Sequence, residues 1–129
     1  MQLFVEGINL VDLDFFTVSD PQCSLKTKEK GAVDVRWDFV GETEVIDNNL
    51  NPKWIKHFAV KYIFNRDLSL NFEVWNVSDT DDTKDLIGQV IFSLSDILKD
   101  KNQEVYMQLT LPTDNSMTQK QIKQAQNRG

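Results

Sequence analysis

Apolar residues recur at every second position through much of this chain, and no long stretch carries the helical spacing. Gln2 to Leu10 sets Leu3, Val5 and Ile8 against Gln2, Glu6 and Asn9, which predicts a first strand with a bulge at Gly7. Gln22 to Lys28 predicts a second strand, and Ala32 to Ile46 contains a third whose apolar positions are Val33, Val35, Trp37, Phe39 and Val45. The turn cluster Asn48-Asn49-Leu50-Asn51-Pro52 closes it. Trp54 to Ile63 predicts a fourth strand with Trp54, Phe58 and Val60 on one face, and Leu68 to Trp75 a fifth, with Leu68, Leu70, Phe72 and Val74 at strict period two. Ile87 to Leu94 and Val105 to Leu111 predict two more, and Ser95 is expected to cap a single helical turn through Leu98. Short strands at this spacing predict an all-β antiparallel sandwich over residues 1–111.

Past Pro112 the pattern lapses into polar residues, with almost nothing apolar except Met117 and Ile122. Residues 112–129 read as a polar tail or linker, with a short helix over 116–126 as one form of it.

Between the fifth and sixth strands runs Asn76-Val77-Ser78-Asp79-Thr80-Asp81-Asp82-Thr83-Lys84-Asp85, a loop crowded with carboxylates. Carboxylates held this close repel one another unless water screens them or a cation sits among them, and hard oxygen donors suit Ca²⁺. A second acidic loop, Val11 to Pro21, carries Asp12, Asp14 and Asp20.

The net charge of −6 and pI near 4.7 exclude nucleic acid as the main partner, because phosphate contacts need clustered Lys and Arg. They also oppose unaided attraction to an anionic membrane, so a membrane role needs a local change of sign that a bound cation would supply. The single cysteine, Cys23, has no internal disulfide partner, and the compartment reads as cytoplasmic. No apolar run approaches the roughly 20 residues of a spanning helix. One histidine, His57, rules out a multi-histidine metal site and reads as a strand residue on the wet face. No nucleophile and base pair is visible and glycines number only 5, so an enzyme has little support. Lys26, Lys28, Lys53, Lys56 and Lys61 could line a basic face, diluted by Asp34, Asp38, Glu42 and Glu44.

Three landmarks stand in a recognisable order. Asn9-Leu10 is followed by Asp14 and, six residues later, Asp20 within Ser19-Asp20-Pro21. Next comes Asn49-Leu50-Asn51-Pro52-Lys53-Trp54, and then Phe72-Glu73-Val74-Trp75 leading through the acidic loop to Leu86-Ile87-Gly88. In this order they resemble a C2 domain over roughly residues 2 to 111, and Gly41-Glu42-Thr43-Glu44-Val45-Ile46 before the Asn48 turn is most similar to the first C2 domain of copines. The resemblance implies a Greek-key antiparallel sandwich of eight strands, in circularly permuted copine-type topology, whose loops at one end hold Ca²⁺ and touch anionic phospholipid. It also implies a final eighth strand after the tail. Since the tail shows no strand pattern, that strand is expected to be missing from this fragment, leaving an edge open to association with another chain.

The family's ligand pattern falls on Asp14 and Asp20 in the loop from Val11 to Pro21, the first in chain order, and on Asn76, Ser78 and Asp85 in the loop from Asn76 to Asp85. That loop is one residue longer than the common form, so Asp79 is placed to replace the carboxylate that Ser78 lacks. The expected metal set is therefore Asp14, Asp20, Asn76, Asp79 and Asp85. Three states fit this set: weak Ca²⁺ binding completed by lipid phosphate, a site re-formed by Asp79, Asp81 and Asp82, or a solvated acidic tip without an ion. Phe15 and Phe16, adjacent at the first loop's tip, cannot both turn into the core, so at least one is expected to enter a bilayer interface. The implied function is a cytoplasmic, peripheral Ca²⁺-dependent phospholipid-binding module with a partly degraded site. The alternative is a Ca²⁺-independent protein-interaction module.

Overall fold

The computed structural model describes residues 1–11, 19–29, 36–61, 67–78, 80, 83–111 and 117–126. They form β1 (Gln2–Ile8), β2 (Pro21–Glu29), β3 (Asp38–Glu42), β4 (Phe58–Ala59), β5 (Leu68–Val77), β6 (Lys84–Ser93), α1 (Leu94–Lys99), β7 (Glu104–Thr110) and β8 (Met117–Gln126). All the pairings are antiparallel, in the order β3-β2-β5-β6-β7-β8-β1-β4. β6 and β7 meet only at Gln89 and Thr110, so the ribbon folds there into two four-stranded layers. Gly88 permits that close crossing: a Cβ on it would stand 2.8 Å from the Cβ of Leu109.

The alternation seen in the sequence becomes the core. β1 contributes Leu3 and Val5, β2 Cys23 and Leu25, β5 Leu70, Phe72 and Val74, and β6 Val90 and Phe92. The Phe58 ring of β4 reaches across the layers to meet Phe72 edge-on at 5.8 Å, and Phe72 stacks on Phe92 at 5.9 Å. Burying side chains of this size contributes about 1.5–3 kcal/mol each before conformational entropy is counted, which is the main term holding the layers together.

The structure departs from the sequence pattern in several places, each with a local cause. The tail is not a helix: Met117–Gln126 is β8, laddered to β1 on one side and to β7 on the other, with Ile122 opposite both Gly7 and Met107. The described residues thus form eight strands, with β8 lying between β1 and β7. A strand between two neighbours satisfies its backbone on both sides, so the ladder specifies it even where apolar alternation does not. Gly7 keeps its register with β8 and makes no bulge; it leaves room for Pro52, whose Cδ would lie 3.0 Å from an added Cβ.

Register shifts occur elsewhere, between β5 and β6, between β7 and β8, and in β3, where Lys26 pairs with Phe39 and Leu25 with Gly41, leaving Val40 as the extra residue. Phe39 consequently shares the outward face with Lys26 and is 62% exposed, not packed inward. β4 is much shorter than Trp54 to Ile63 because the preceding amides bond elsewhere. Trp54 N–H donates to the Val5 carbonyl, while those of Ile55 and Lys56 donate to the Glu44 carboxylate. Ser93, not Ser95, caps α1, with Asp96 accepting from the Ser93 amide at 3.1 Å. Ser95 is held by Asp67 through both its amide and its hydroxyl.

Candidate functional site at the loop end

β2 starts one residue after Asp20, and its register with β5 sets Pro21 opposite Asn76, while β6 sets Asp85 opposite the same Asn76. Three adjacent strands thus bring Asp20, Asn76 and Asp85 to one end of the sandwich. Period two along β5 puts Asn76 on the inward side with Phe72 and Val74, where it is 4% exposed. A buried amide at the rim of a core needs partners, and it has one nearby. The Asp20 amide donates to Asn76 Oδ1 at 2.9 Å, and the Val77 amide donates back to the Asp20 carbonyl at 3.1 Å.

Asp20 is itself 7% exposed and binds a third segment: its Oδ1 accepts from the Asn48 amide at 2.7 Å. Asn48 has φ of 53°, a left-handed conformation that asparagine tolerates and that turns its N–H toward Asp20. The Asn49 amide adds a bond to the Ser19 carbonyl, and the Asn51 amide is taken by Asn49 Oδ1. In the sequence, residues 48–52 read as a turn and part of a family landmark. Asparagine's tolerance of αL fits the turn, but the aim of the Asn48 amide at a carboxylate 28 residues back has no local sequence signal. At the mouth of the acidic loop, the Ser78 amide donates to the Thr83 carbonyl, and the hydroxyls of Ser78 and Thr80 lie 3.1 Å apart.

Of the expected ligands, Asp20 and Asn76 are joined directly, and Asp85 stands across the ladder from Asn76 with an exposed side chain. Asp14 and Asp79, and the aromatic pair Phe15 and Phe16, lie outside the described residues. Among the described residues, no three His, Cys, Asp or Glu side chains come together as a metal cluster. No described helix is long and apolar enough to cross a membrane.

The lysines do not form one face. Lys26 and Lys28 project from β2, where Lys26 Nζ lies 3.2 Å from Glu73 Oε1 and Lys28 sits over the Trp37 ring at 4.8 Å. Lys53, Lys56 and Lys61 flank β4 in the other layer, where the Lys53 backbone pairs with that of Glu6 in β1. His57 is half-buried against the Phe4 ring at 5.1 Å. Burial, and then the Glu73 charge, push the Cys23 thiol far above its usual range, so it behaves as an apolar core group.

The C2-domain family profile matches residues 3–124. Copine-A of Dictyostelium discoideum is 30% identical over 84% of this chain, and Copine-E of the same organism is 32% identical over 81%. Nicotinic receptor-associated protein 1 of Caenorhabditis elegans is 33% identical over 67%. The chain spans 17%, 18% and 16% of the lengths of these three relatives. Among solved structures, BON1-C2B superposes with a TM-score of 0.67 at 27% identity, covering 94% of this chain and 84% of that one. A C2 domain of plant Extended Synaptotagmin 1 gives 0.63 at 19% identity, covering 96% and 92%, a likeness of fold. With its two four-stranded layers and a family profile matched over nearly its whole length, the chain belongs to the C2 domain family.

Proposed function

We propose that this is a copine-like C2 module that docks on anionic phospholipid through residues 12–20 and 76–85 when Ca²⁺ is present. The observation that carries the reading is the convergence of Asp20, Asn76 and Asp85 at one end of the sandwich. Two carboxylates and an amide carbonyl are hard oxygen donors of the kind Ca²⁺ takes. They are fewer than the about six to eight oxygens of its shell. Asp14 and Asp79, assigned by the family resemblance, and lipid phosphate oxygens complete the proposed set. Ca²⁺ would neutralise the carboxylates and attract phosphate to a surface that otherwise repels it. Phe15 or Phe16 adds apolar burial at the interface. The module acts in the cytoplasm, peripheral to the membrane, and binds without catalysing a reaction.

Sedimentation with phosphatidylserine vesicles tests this: the protein should pellet in millimolar Ca²⁺ and stay in the supernatant with chelator. Failure to pellet at millimolar Ca²⁺ would sink the bridging mechanism. One observation favours a second reading, a Ca²⁺-independent protein-interaction module: Asn76 Oδ1 already receives the Asp20 amide. Calorimetry showing no Ca²⁺ heat from an intact fold would select it.

A further inference from the structure

The proposed ligand positions have a structural role without an ion. Asp20 sits between two other segments: its amide is held by Asn76 Oδ1 at the end of β5, and its carboxylate holds the Asn48 amide of the turn before Pro52. The Val77 amide to Asp20 carbonyl bond and the Asn49 amide to Ser19 carbonyl bond run beside these contacts. Three chain segments, 19–20, 48–49 and 76–77, are thus tied together by bonds that involve no cation, with Ser19, Asp20 and Asn76 each more than nine-tenths buried.

Charge decides whether such a knot holds. Asn76 holds the backbone amide of Asp20, whose carboxylate is buried, and Asp85, with an exposed side chain, stands opposite it by strand register. An aspartate at 76 would offer the same acceptor to the Asp20 amide but would add a negative charge at a buried position between two residues that each carry one, where desolvation and like charge both oppose ionisation. Asparagine keeps the acceptor and removes the charge.

We propose that Asn76 is a neutral clamp that closes the loop end in the absence of Ca²⁺, so that the ion is not needed to assemble these segments. As a positioning residue, it makes the membrane-facing end preformed and its closure insensitive to Ca²⁺. This deepens the lipid-docking reading, yet its test reads stability alone, so failure of one is distinguishable from failure of the other.

The experiment compares thermal unfolding of the full chain and of Asn76→Asp and Asn76→Ala, each in chelator and in millimolar Ca²⁺. The wild type should move by less than about 2 °C between the two conditions. Asn76→Asp should melt roughly 4 °C or more lower in chelator and recover most of that loss in Ca²⁺. Asn76→Ala, which lacks any acceptor for the Asp20 amide, should melt lower in both conditions without recovery. If Asn76→Asp is unfolded in chelator, circular dichroism during Ca²⁺ addition replaces the melt: refolding supports the clamp, and failure to refold overturns it. The clamp is also overturned if Asn76→Asp matches the wild type in chelator, or if the wild type gains as much from Ca²⁺ as Asn76→Asp does.

Discussion

At the loop end, Asp20 bonds both Asn48 and Asn76, whereas on the outward face of β2 and β5 two buried polar side chains, Asn71 and Glu73, are more poorly paired than their neighbours. Asn71 is 6% exposed with no hydrogen bond to its Oδ1, and Glu73 is 8% exposed. Lys26 stands 3.2 Å from Glu73 Oε1, which supplies a counter-charge, but the contact is not aligned as a hydrogen bond. The ring N–H of Trp75 donates to Ser24 Oγ, and Lys84 reaches Gln22 and Glu42. A buried acceptor without a donor costs on the order of 1–3 kcal/mol, while a satisfied one returns a net gain near 1 kcal/mol. Polar burial at the loop end is therefore specific and stabilising, and at Asn71 and Glu73 on the outer face it is a tolerated cost set beside a charge pair.

Substitutions can break this contrast. Asp20→Ala removes the acceptor of the Asn48 amide and should cost roughly 1.5–3 kcal/mol in denaturant unfolding, because the bond is charge-assisted and part-buried. A loss below about 0.5 kcal/mol would deny the loop end its role. Lys26→Met leaves the Glu73 carboxylate buried without its counter-charge and should cost about 1–2 kcal/mol, reduced from a fully buried pair because Lys26 is partly solvated. Adding Glu73→Gln to that variant should recover part of the loss.

Glu44 gives a smaller, pH-dependent effect. Its slight burial alone would raise its pKa, but hydrogen bonds from backbone amides, including those of Ile55 and Lys56, together with the Lys56 charge, hold the carboxyl below its ordinary value. A depressed folded pKa contributes stability that is present above the unfolded pKa and is lost as pH falls through the folded value. The stability gap between wild type and Glu44→Gln should thus be under about 1 kcal/mol at neutral pH and should close under acid. Asn71→Leu has the smallest expected effect, within about 0.5 kcal/mol of the wild type or slightly stabilising, since it removes an acceptor with no partner and keeps the volume. A cost equal to that of Asn76→Ala would erase the contrast between the two regions.

Period two was enough to expose β1, β2, β5, β6 and β7, because their inward residues, such as Leu3, Val5, Leu70, Phe72 and Val74, carry the core. β8 was illegible because its place is fixed by the ladders of β1 and β7, a backbone demand that Gln and Lys side chains do not announce. Phe39 misled because the bulge at Val40 reverses which face it occupies, and no residue type in that stretch marks the shift. At the site, the family resemblance named Asp20, Asn76 and Asp85, which the strand registers bring to one end. It gave no sign that Asn76 Oδ1 takes the Asp20 amide or that the Asn48 amide donates to the Asp20 carboxylate, because a hydrogen-bond partner far along the chain leaves no local pattern.

The most direct test of this account is the Ca²⁺ concentration at half-maximal binding to phosphatidylserine vesicles, measured for the wild type and for Asn76→Asp. The account predicts a millimolar midpoint for the wild type and a midpoint at least about tenfold lower once the neutral clamp becomes a carboxylate. Equal midpoints, or wild-type binding that saturates at micromolar Ca²⁺, would contradict it.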